Sequence, residues 1–345
     1  MSDSIFEEGG PHQVKRTGKD RFSMSITLPK DQDGMIGREC PSSTCEPAYF
    51  KIKPGTGVKG QDFAFCPYCS QKDDEQNFHT AEQKKYAEDI VMRQARLGIN
   101  KVLRDNFELD SNDQRTIDGG IVSLKISLDA HTPPVVPRPI EEELRRNLTC
   151  SQCGLEHAVF GLAVWCPDCG VDIFLTHVDG EFEVIRRMIG DISSRRERLG
   201  ARIAAKDTEN ALEDVVSTFE AVLRHITRMS LRKSGKAPQE VDELMTKQIG
   251  NKYQNIEMTS LVFKEQLGLS FFDSLTTNEL DFLKLTFEKR HPITHNLGIV
   301  DRKYLLKVRG GELQGREIRV KPAEILESIN LCTRCINSVY PKLIG

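Results

Sequence analysis

The ten cysteines of this chain lie in five close pairs, and nothing before them resembles a signal peptide. Disulfide frameworks are typical of secreted proteins, whereas paired thiolates in an intracellular chain are typical of zinc sites. The first ten residues are polar and acidic. No apolar run approaches the ~20 residues of a membrane span. We therefore expect a soluble cytoplasmic protein with structural zinc and no membrane contact.

The first four cysteines predict a zinc ribbon. Cys40 and Cys45 form one pair and Cys66 and Cys69 the other, with a β-prone stretch (49–65) between them. Four thiolates at this spacing can close a tetrahedral site, and the metal then contributes folding free energy directly to a small unit. The alternative is a pair of redox-active CxxC motifs, which the lack of a surrounding βαβ pattern disfavours.

A second unit repeats this arrangement. Cys150 and Cys153 precede a short apolar segment, and Cys166 and Cys169 follow it. A glycine after each CxxC favours the tight turn that points backbone N–H groups at the sulfurs, resembling rubredoxin-like knuckles. His157 is an alternative ligand, but four cysteines already fill the shell, so we expect it to pack or lie at the surface. The chain thus predicts two structural zinc sites.

Between and beyond these units the sequence changes character. Thr80 to Gln83 reads as a capping box that starts a helix running past Leu97, with Gly98 a weak point. Alternating residues predict strands over 22–28 and from Ile121 onward. The proline-rich stretch 132–139 is our predicted domain boundary. The predicted fold class is α+β multidomain, with units 1–79 (zinc ribbon), 80–139 (helix, strand and linker), 140–179 (second zinc ribbon) and 180–345 (all-α bundle).

The last unit is helical by periodicity. Residues 210–229 carry apolar side chains on one broad face, which predicts a long amphipathic helix. Glu220 and Arg224 on this helix are either lining residues of a cleft or its solvated flank, and we favour the flank. Pro322 suits the first turn of a final helix. Cys332 and Cys335 lie on the apolar stripe of that helix and are predicted as core thiols, since no further cysteines remain for a third site.

Near the C-terminal end, Arg290 and His291 precede Pro292, and His295 follows. The residues before Arg290 have helical periodicity. Pro292 lacks an N–H and disfavours the α conformation for His291, so we expect the helix to end or kink beside Arg290. A guanidinium and an imidazole would then meet at a bend between helices.

This stretch resembles the HEPN superfamily, many of whose members are metal-independent ribonucleases. The matching residues are Arg290 and His295, the polar His291 directly after the arginine, and the tract 296–301. The resemblance extends over about the last 165 residues, a normal size for one domain. It implies an all-α bundle, catalysis without a metal and a homodimer formed through this domain.

The residue types suit this chemistry. Cleavage of RNA without a metal needs a base for the 2′-OH proton, an acid for the leaving 5′-oxygen and a cation near phosphorus. An imidazole titrates near neutrality and an arginine stays charged, so His295 and Arg290 are the predicted catalytic pair. His291 is a candidate second proton carrier. Weaker candidates for phosphate or RNA binding are Asn296, Thr294 and Lys289.

The local charge agrees with an anionic ligand. The whole chain has a net charge of −3, yet residues 281–321 hold ten Lys and Arg against five Asp and Glu, a local surplus of five positive charges. We therefore predict an endoribonuclease that leaves a 2′,3′-cyclic phosphate, acts in a toxin or phage-defence setting and uses its zinc ribbons to recognise RNA or a regulatory protein partner. The alternatives are a non-catalytic nucleic-acid-binding module and a protein-interaction module, both with structural zinc. No P-loop, dinucleotide-binding glycine pattern or Gly-x-Ser-x-Gly elbow is present.

Overall fold

The computed structural model describes residues 5–19, 21–118, 123–129, 133–144, 146–308 and 311–344. The chain forms two compact units, Met1–Asp172 and Ile173–Gly345. All named strands lie in the first unit, and the second unit is built from helices. The predicted order of small sheets followed by a helical region is therefore confirmed. Within the described residues, no helix is both long enough and apolar enough to cross a membrane.

The first unit contains ten short strands and one long helix. The described strands pair antiparallel in one four-stranded and three two-stranded sheets, and the unit also holds two four-cysteine clusters. The elements are β1 (Lys15–Gly18), β2 (Arg21–Ser23), β3 (Ile36–Glu39), β4 (Tyr49–Ile52), β5 (Phe63–Phe65), β6 (Lys72–Asp74), α1 (Ala81–Asn106), β7 (Gln114–Asp118), β8 (Ser123–Ser127), β9 (Arg146–Thr149) and β10 (Glu156–Val159).

The two predicted ribbon units share one sheet. Its strand order is β3-β4-β10-β9, and β4 pairs antiparallel with β10 so that Phe50 lies opposite Val159 and Ile52 opposite His157. His157 is fully buried here and packs in the core, which excludes the surface position for it. The compact unit ends at Asp172. The boundary predicted in the proline-rich stretch therefore does not separate compact units, because the sheet joins the segments on either side of it.

The CxxC turns Cys66–Cys69 and Cys166–Cys169 also form reciprocal backbone hydrogen bonds with each other. The backbone N–H of Phe65 donates to the carbonyl of Pro167 at 2.8 Å, and the N–H of Trp165 donates to the carbonyl of Pro67 at 3.1 Å. Each donor is the residue directly before one CxxC motif, and each acceptor is the first residue between the two cysteines of the other motif. Gly170 permits this approach, since a Cβ there would lie 2.9 Å from the Phe65 ring. The two duplicated cysteine units therefore contact each other through equivalent residues.

The proline-rich linker is bound to the first ribbon. The Tyr49 hydroxyl donates to Glu141 Oε2 at 2.6 Å. Gln83 donates to Glu141 Oε1 at 3.1 Å and to the carbonyl of Gly37 at 2.9 Å. A Cβ on Gly37 would overlap the Tyr49 hydroxyl and the Glu141 carboxylate, so only glycine fits there. The segment from Pro133 to Leu144 is therefore fixed to the first unit through Glu141 and is not a free spacer.

The two predicted strands have different outcomes. β2 ends at Ser23, and residues 24–30 have no regular structure, so the strand predicted over 22–28 is wrong for most of its length. The second predicted strand is confirmed as β8, which pairs with β7. Ile121 and Val122, with which that prediction began, lie outside the described residues, as does Thr132.

Helix α1 begins with the predicted capping box, in which the Thr80 hydroxyl accepts from the Gln83 N–H. The helix passes through Gly98 without a break, so this glycine is not a weak point. A Cβ at Gly98 would overlap the carbonyl oxygen of Ile5, because the N-terminal segment crosses the helix there. Close packing of two backbones thus explains a glycine in the interior of the helix.

In the described part of the second unit, eight α-helices accompany the long helix α4. The helices are α2 (Phe174–Gly190), α3 (Ile192–Leu199), α4 (Ala201–Lys233), α5 (Pro238–Glu243), α6 (Ile256–Leu267), α7 (Thr277–Glu288), α8 (Arg290–His295), α9 (Arg302–Lys307) and α10 (Pro322–Leu343). The predicted apolar face of α4, from Leu212 to Ile226, is buried. α10 starts at Pro322, and Cys332 and Cys335 are both fully buried on it. The prediction of core thiols is confirmed.

Replacing Gly98 with Ala should release the N-terminal segment from α1, because the new methyl group occupies the position of the Ile5 carbonyl. We expect faster trypsin cleavage at Lys15 and Arg16 in the variant. Gly180→Ala is the matched control, since Gly180 is helical and its added Cβ meets nothing within 4 Å. It should raise the free energy of unfolding by about 0.5–1 kcal/mol and leave cleavage unchanged. Equal cleavage of Gly98→Ala and the native chain would contradict this packing.

Candidate functional site

The Arg–His motif lies at a break between two helices. α7 ends at Glu288, and α8 runs from Arg290 to His295. Pro292 occupies the first turn of α8, where its missing N–H has no intrahelical acceptor to lose. The expected break beside Arg290 is confirmed. The expected reason is partly wrong, because His291 remains helical and Lys289 is the residue at the junction.

The motif side chains divide between two sides of α8. Positions five apart on a helix differ by about 140° around its axis, so Arg290 and His295 point to different sides. His291 and His295 are four apart and share a side, with ring centroids 5.0 Å apart. His295 is exposed and His291 half-buried. The structure therefore brings the two histidines together and leaves Arg290 of the same chain apart from His295.

The histidine side of α8 is electropositive. Burial, together with the charges of Lys303, His295 and Lys307, lowers the pKa of His291, against a smaller opposing effect of Asp301. Its imidazole is therefore predominantly neutral at pH 7, since the ordinary pKa of histidine is about 6.5. A neutral imidazole can accept a proton, which is the requirement for a general base.

The arginine side of α8 faces a polar network on neighbouring elements. Arg290 Nη2 donates to Gln254 Oε1 at 2.5 Å, and Gln254 Nε2 donates to Glu220 Oε2 at 2.7 Å. Arg224 lies 3.8 Å from Glu220 and donates to the carbonyl of Gly250 at 2.6 Å. The side chains of Glu220 and Arg224 are only 16% and 27% exposed, so the prediction of a solvated flank is wrong. Gln254, which orients Arg290, carries no sequence signal that could have identified it.

The weaker candidates have different surroundings. Thr294 is exposed, and its hydroxyl donates to Glu213 Oε1 at 3.0 Å. Asn296 Nδ2 donates to the carbonyl of Ile299 at 2.7 Å and closes the turn after α8. Lys289 is buried, and its ammonium contacts both carboxylate oxygens of Glu324 at 3.1 Å. An ammonium held in this way cannot bind a phosphate at the surface, which contradicts the predicted role of Lys289.

A groove of about 830 Å³ is lined by residues of α6, α7 and α9. Phe282 and Leu285 of α7 contribute apolar walls, and Glu288 and Lys307 contribute polar groups. Glu288 is fixed by Asn255 Nδ2 at 2.6 Å and by Lys307 Nζ at 3.2 Å. Lys307 belongs both to this groove and to the charges around His291. The groove thus has an apolar wall and polar groups, and Lys307 is the residue that it shares with the surroundings of His291.

The first unit contains two clusters that could each hold a metal ion. In one, the Cys40–Cys69 and Cys45–Cys66 sulfurs are each 3.6 Å apart. A disulfide would need about 2.05 Å, whereas tetrahedral zinc with Zn–S bonds of ~2.3 Å separates its sulfurs by about 3.8 Å. All ten cysteines are free thiols. The predicted ligands Cys40, Cys45, Cys66 and Cys69 therefore converge as a tetrahedral ion requires.

The second cluster has the same geometry. The Cys150–Cys169 sulfurs are 3.7 Å apart and the Cys153–Cys166 sulfurs 3.6 Å. Burial acts to raise the pKa of Cys150, but the backbone N–H groups of Cys153 and Gln152 hold it below its usual value. In the first cluster, the hydrogen bond from Cys66 lowers the pKa of Cys69 to about 5. Each cluster thus stabilises one thiolate, the form of cysteine that binds metal.

The glycines predicted for the knuckle turns adopt the expected conformation. Gly154 has φ +77° and Gly170 has φ +68°. Ser70 holds the corresponding position in the first unit, with φ +61°.

No protein-family model, curated protein or solved structure matches this chain.

The purified protein should contain two zinc ions per chain. Cys69→Ser and Cys166→Ser should each reduce this to one, because loss of one thiolate opens a four-ligand shell. Cys332→Ala is the control and should retain two ions, since that thiol lies in the helical core. Elemental analysis after dialysis gives the stoichiometry. Two ions in Cys166→Ser, or one in Cys332→Ala, would contradict the assigned ligands.

Proposed function

We propose that the C-terminal unit is a metal-independent endoribonuclease that cleaves RNA through attack of the 2′-hydroxyl. The observation that carries this proposal is the pair of half-buried His291 and exposed His295, whose rings lie 5.0 Å apart, with the charges of Lys303 and Lys307 acting on His291. Two imidazoles can serve as base and acid in one reaction. The resemblance of the stretch 290–301 to HEPN ribonucleases supports the same chemistry.

In the proposed reaction, neutral His291 removes the 2′-OH proton, and the 2′-oxygen bonds to phosphorus. The bond from phosphorus to the 5′-oxygen breaks, and His295, as the acid, donates its proton to that oxygen. The products are a 2′,3′-cyclic phosphate and a 5′-hydroxyl. The charge of Lys303, which acts on His291, would stabilise the negative charge that develops on the phosphoryl oxygens.

A second copy of the chain completes the proposed site. Arg290 points away from the histidines of its own chain, so the arginine that binds their phosphate is supplied by a partner in a homodimer, as the HEPN resemblance implies. Leu297 and Leu306 flank the histidine side and are 85% and 79% exposed. Exposed leucines of this kind offer apolar area to a second subunit. Symmetric pairing would build two identical composite sites.

The groove lined by α6, α7 and α9 is the proposed binding site for a neighbouring nucleotide. A base can stack on the half-buried ring of Phe282. Lys307, which lines the groove and whose charge acts on His291, would contact the backbone phosphate. RNA bound in this way presents a linkage to the histidine pair.

The two cysteine clusters are proposed as structural zinc sites that stabilise the first unit. Neither contributes to the chemistry at α8. The first unit would recognise RNA or a regulatory protein partner, in a cytoplasmic toxin or antiviral-defence system.

One observation favours a non-catalytic alternative. Arg290 is already hydrogen-bonded by Gln254, so in the monomer its guanidinium is held away from the histidines. A chain that never dimerises would bind RNA through its basic groups without cleaving it. RNA binding without cleavage by the native protein would support this module instead.

The native protein should cleave single-stranded RNA in the presence of EDTA. His291→Ala and His295→Ala should each lower kcat by about 10²–10⁴-fold, the usual contribution of one proton-transfer group. His12→Ala, in the first unit, is the matched control and should cleave like the native protein. Denaturing gel electrophoresis measures the rates. Equal cleavage by His295→Ala and the native protein would indicate a contaminant and contradict the proposal.

The pH dependence of cleavage should report the charge of Lys303. His291 acts as a base only when neutral, so activity falls as pH drops through its pKa. That pKa is lowered by burial and by Lys303. In Lys303→Met the pKa of His291 rises, and the acidic limb of the kcat/KM profile should move to higher pH. Lys264→Met, on α6, should leave the limb in place. A limb that moves to lower pH in Lys303→Met would contradict the assignment of His291 as base.

A further inference from the structure

The first unit contains a cavity of about 530 Å³ that belongs to neither metal cluster nor the histidine site. Its walls come from the inner side of β3 and β4, the irregular segment 24–30 and the glycine-rich loop 54–61. Ile26, Leu28 and Phe50 make much of this lining apolar. Val58 at the rim is 45% exposed, so the cavity opens to solvent. A volume of this size is typical of small-ligand pockets.

A buried arginine lines this cavity. Arg38 is only 4% exposed. Its Nη2 contacts Glu75 Oε1 at 2.6 Å, and its Nη1 donates to the carbonyl of Gly37 at 3.1 Å. Within the described part of the chain, Arg38 Nε has no hydrogen-bond partner. A buried donor left unpaired is destabilising, so this unpaired guanidinium edge is an unusual feature.

The ion pair with Glu75 engages Arg38 Nη2, while Nε is buried and, among the described residues, unpaired. Glu75 uses one oxygen, and its side chain is 45% exposed, so it does not enclose the guanidinium. The adjacent Nε and Nη2 of an arginine form the planar fork that binds a carboxylate through two parallel hydrogen bonds. Arg38, Lys53 and Lys59 line the cavity together with Glu75 and Asp168, so its charged groups leave a surplus of one positive charge. A monoanionic carboxylate fits this balance.

We propose that this cavity binds a small carboxylic acid with an apolar body. The carboxylate pairs with the Nε and Nη2 edge of Arg38, and the apolar body lies against Ile26, Leu28 and Phe50. Binding displaces Glu75 towards solvent, because both carboxylates compete for Nη2. The site shares no residue with α8, so its existence does not depend on the ribonuclease activity.

Octanoate is a suitable probe, with octan-1-ol as its uncharged counterpart. Isothermal titration of the full-length protein should show one octanoate per chain, bound at least 10-fold more tightly than octan-1-ol. Arg38→Met keeps much of the arginine volume and should weaken octanoate binding at least 10-fold. Glu75→Gln removes the competing charge and should tighten it several-fold. Arg115→Met, on β7 away from the cavity, is the matched control and should bind like the native protein.

Several results would overturn the proposal. They are the absence of octanoate binding, equal affinity for octanoate and octan-1-ol in the native protein, and unchanged affinity in Arg38→Met. If Arg38→Met does not fold, the native comparison and Glu75→Gln decide the question. Weaker binding in Glu75→Gln would show that Glu75 is a ligand contact rather than a competitor, and would also contradict the proposal.

Discussion

The candidate site depends on a buried ion pair at the helix junction. The side chain of Lys289 is 7% exposed, and its ammonium contacts both oxygens of Glu324, in the first turn of α10. A buried charge is strongly destabilising unless it is paired, so this contact fixes the start of α8 against the start of α10. With the junction fixed there, the helical repeat sends Arg290 towards Gln254 and both histidines towards solvent. The proposed chemistry is a consequence of that orientation.

The N-terminal unit must stabilise two small four-cysteine hairpins. A single four-cysteine hairpin is too small to bury a core of its own, and such units usually need a metal to fold. Here the two hairpins pair through β4 and β10, and the reciprocal bonds to Pro67 and Pro167 join their CxxC turns. Each hairpin thereby covers one edge of the other. The Arg38 cavity lies in the same unit, lined by residues of this sheet and of the loop 54–61.

Local chemistry was predictable from the sequence, and long-range pairing was not. The capping box at Thr80, the first-turn proline at Pro322 and the buried face of α4 follow from rules that act within a few residues. The cysteine clusters were predictable because only a few ligand spacings close a tetrahedron. The β4–β10 pairing joins residues about 100 positions apart, and nothing in either strand specifies the partner. The proline-rich stretch was predicted as a domain boundary for a similar reason. Glu141, just after it, is hydrogen-bonded to Tyr49 and Gln83, and these contacts also join residues far apart in the sequence.

The roles of individual polar residues were the hardest to predict. Lys289 reads as one more cation in a basic tract, and only the position of Glu324 shows that it is structural. Gln254 carries no motif, yet it sets the direction of Arg290. Ile26 and Leu28 alternate like strand residues, but among the described residues they have no partner strand and line a cavity instead. In each case a tertiary contact overrides the local pattern.

Attack by the 2′-hydroxyl can be tested with two oligonucleotides in the presence of EDTA. One is all-RNA, and the other has the same sequence with a 2′-deoxy sugar at the cleaved position. We expect cleavage of the all-RNA strand only, with 2′,3′-cyclic phosphate and 5′-hydroxyl ends identified by mass spectrometry. Cleavage of both strands, or products with 5′-phosphate ends, would contradict attack by the 2′-hydroxyl and with it the roles assigned to His291 and His295.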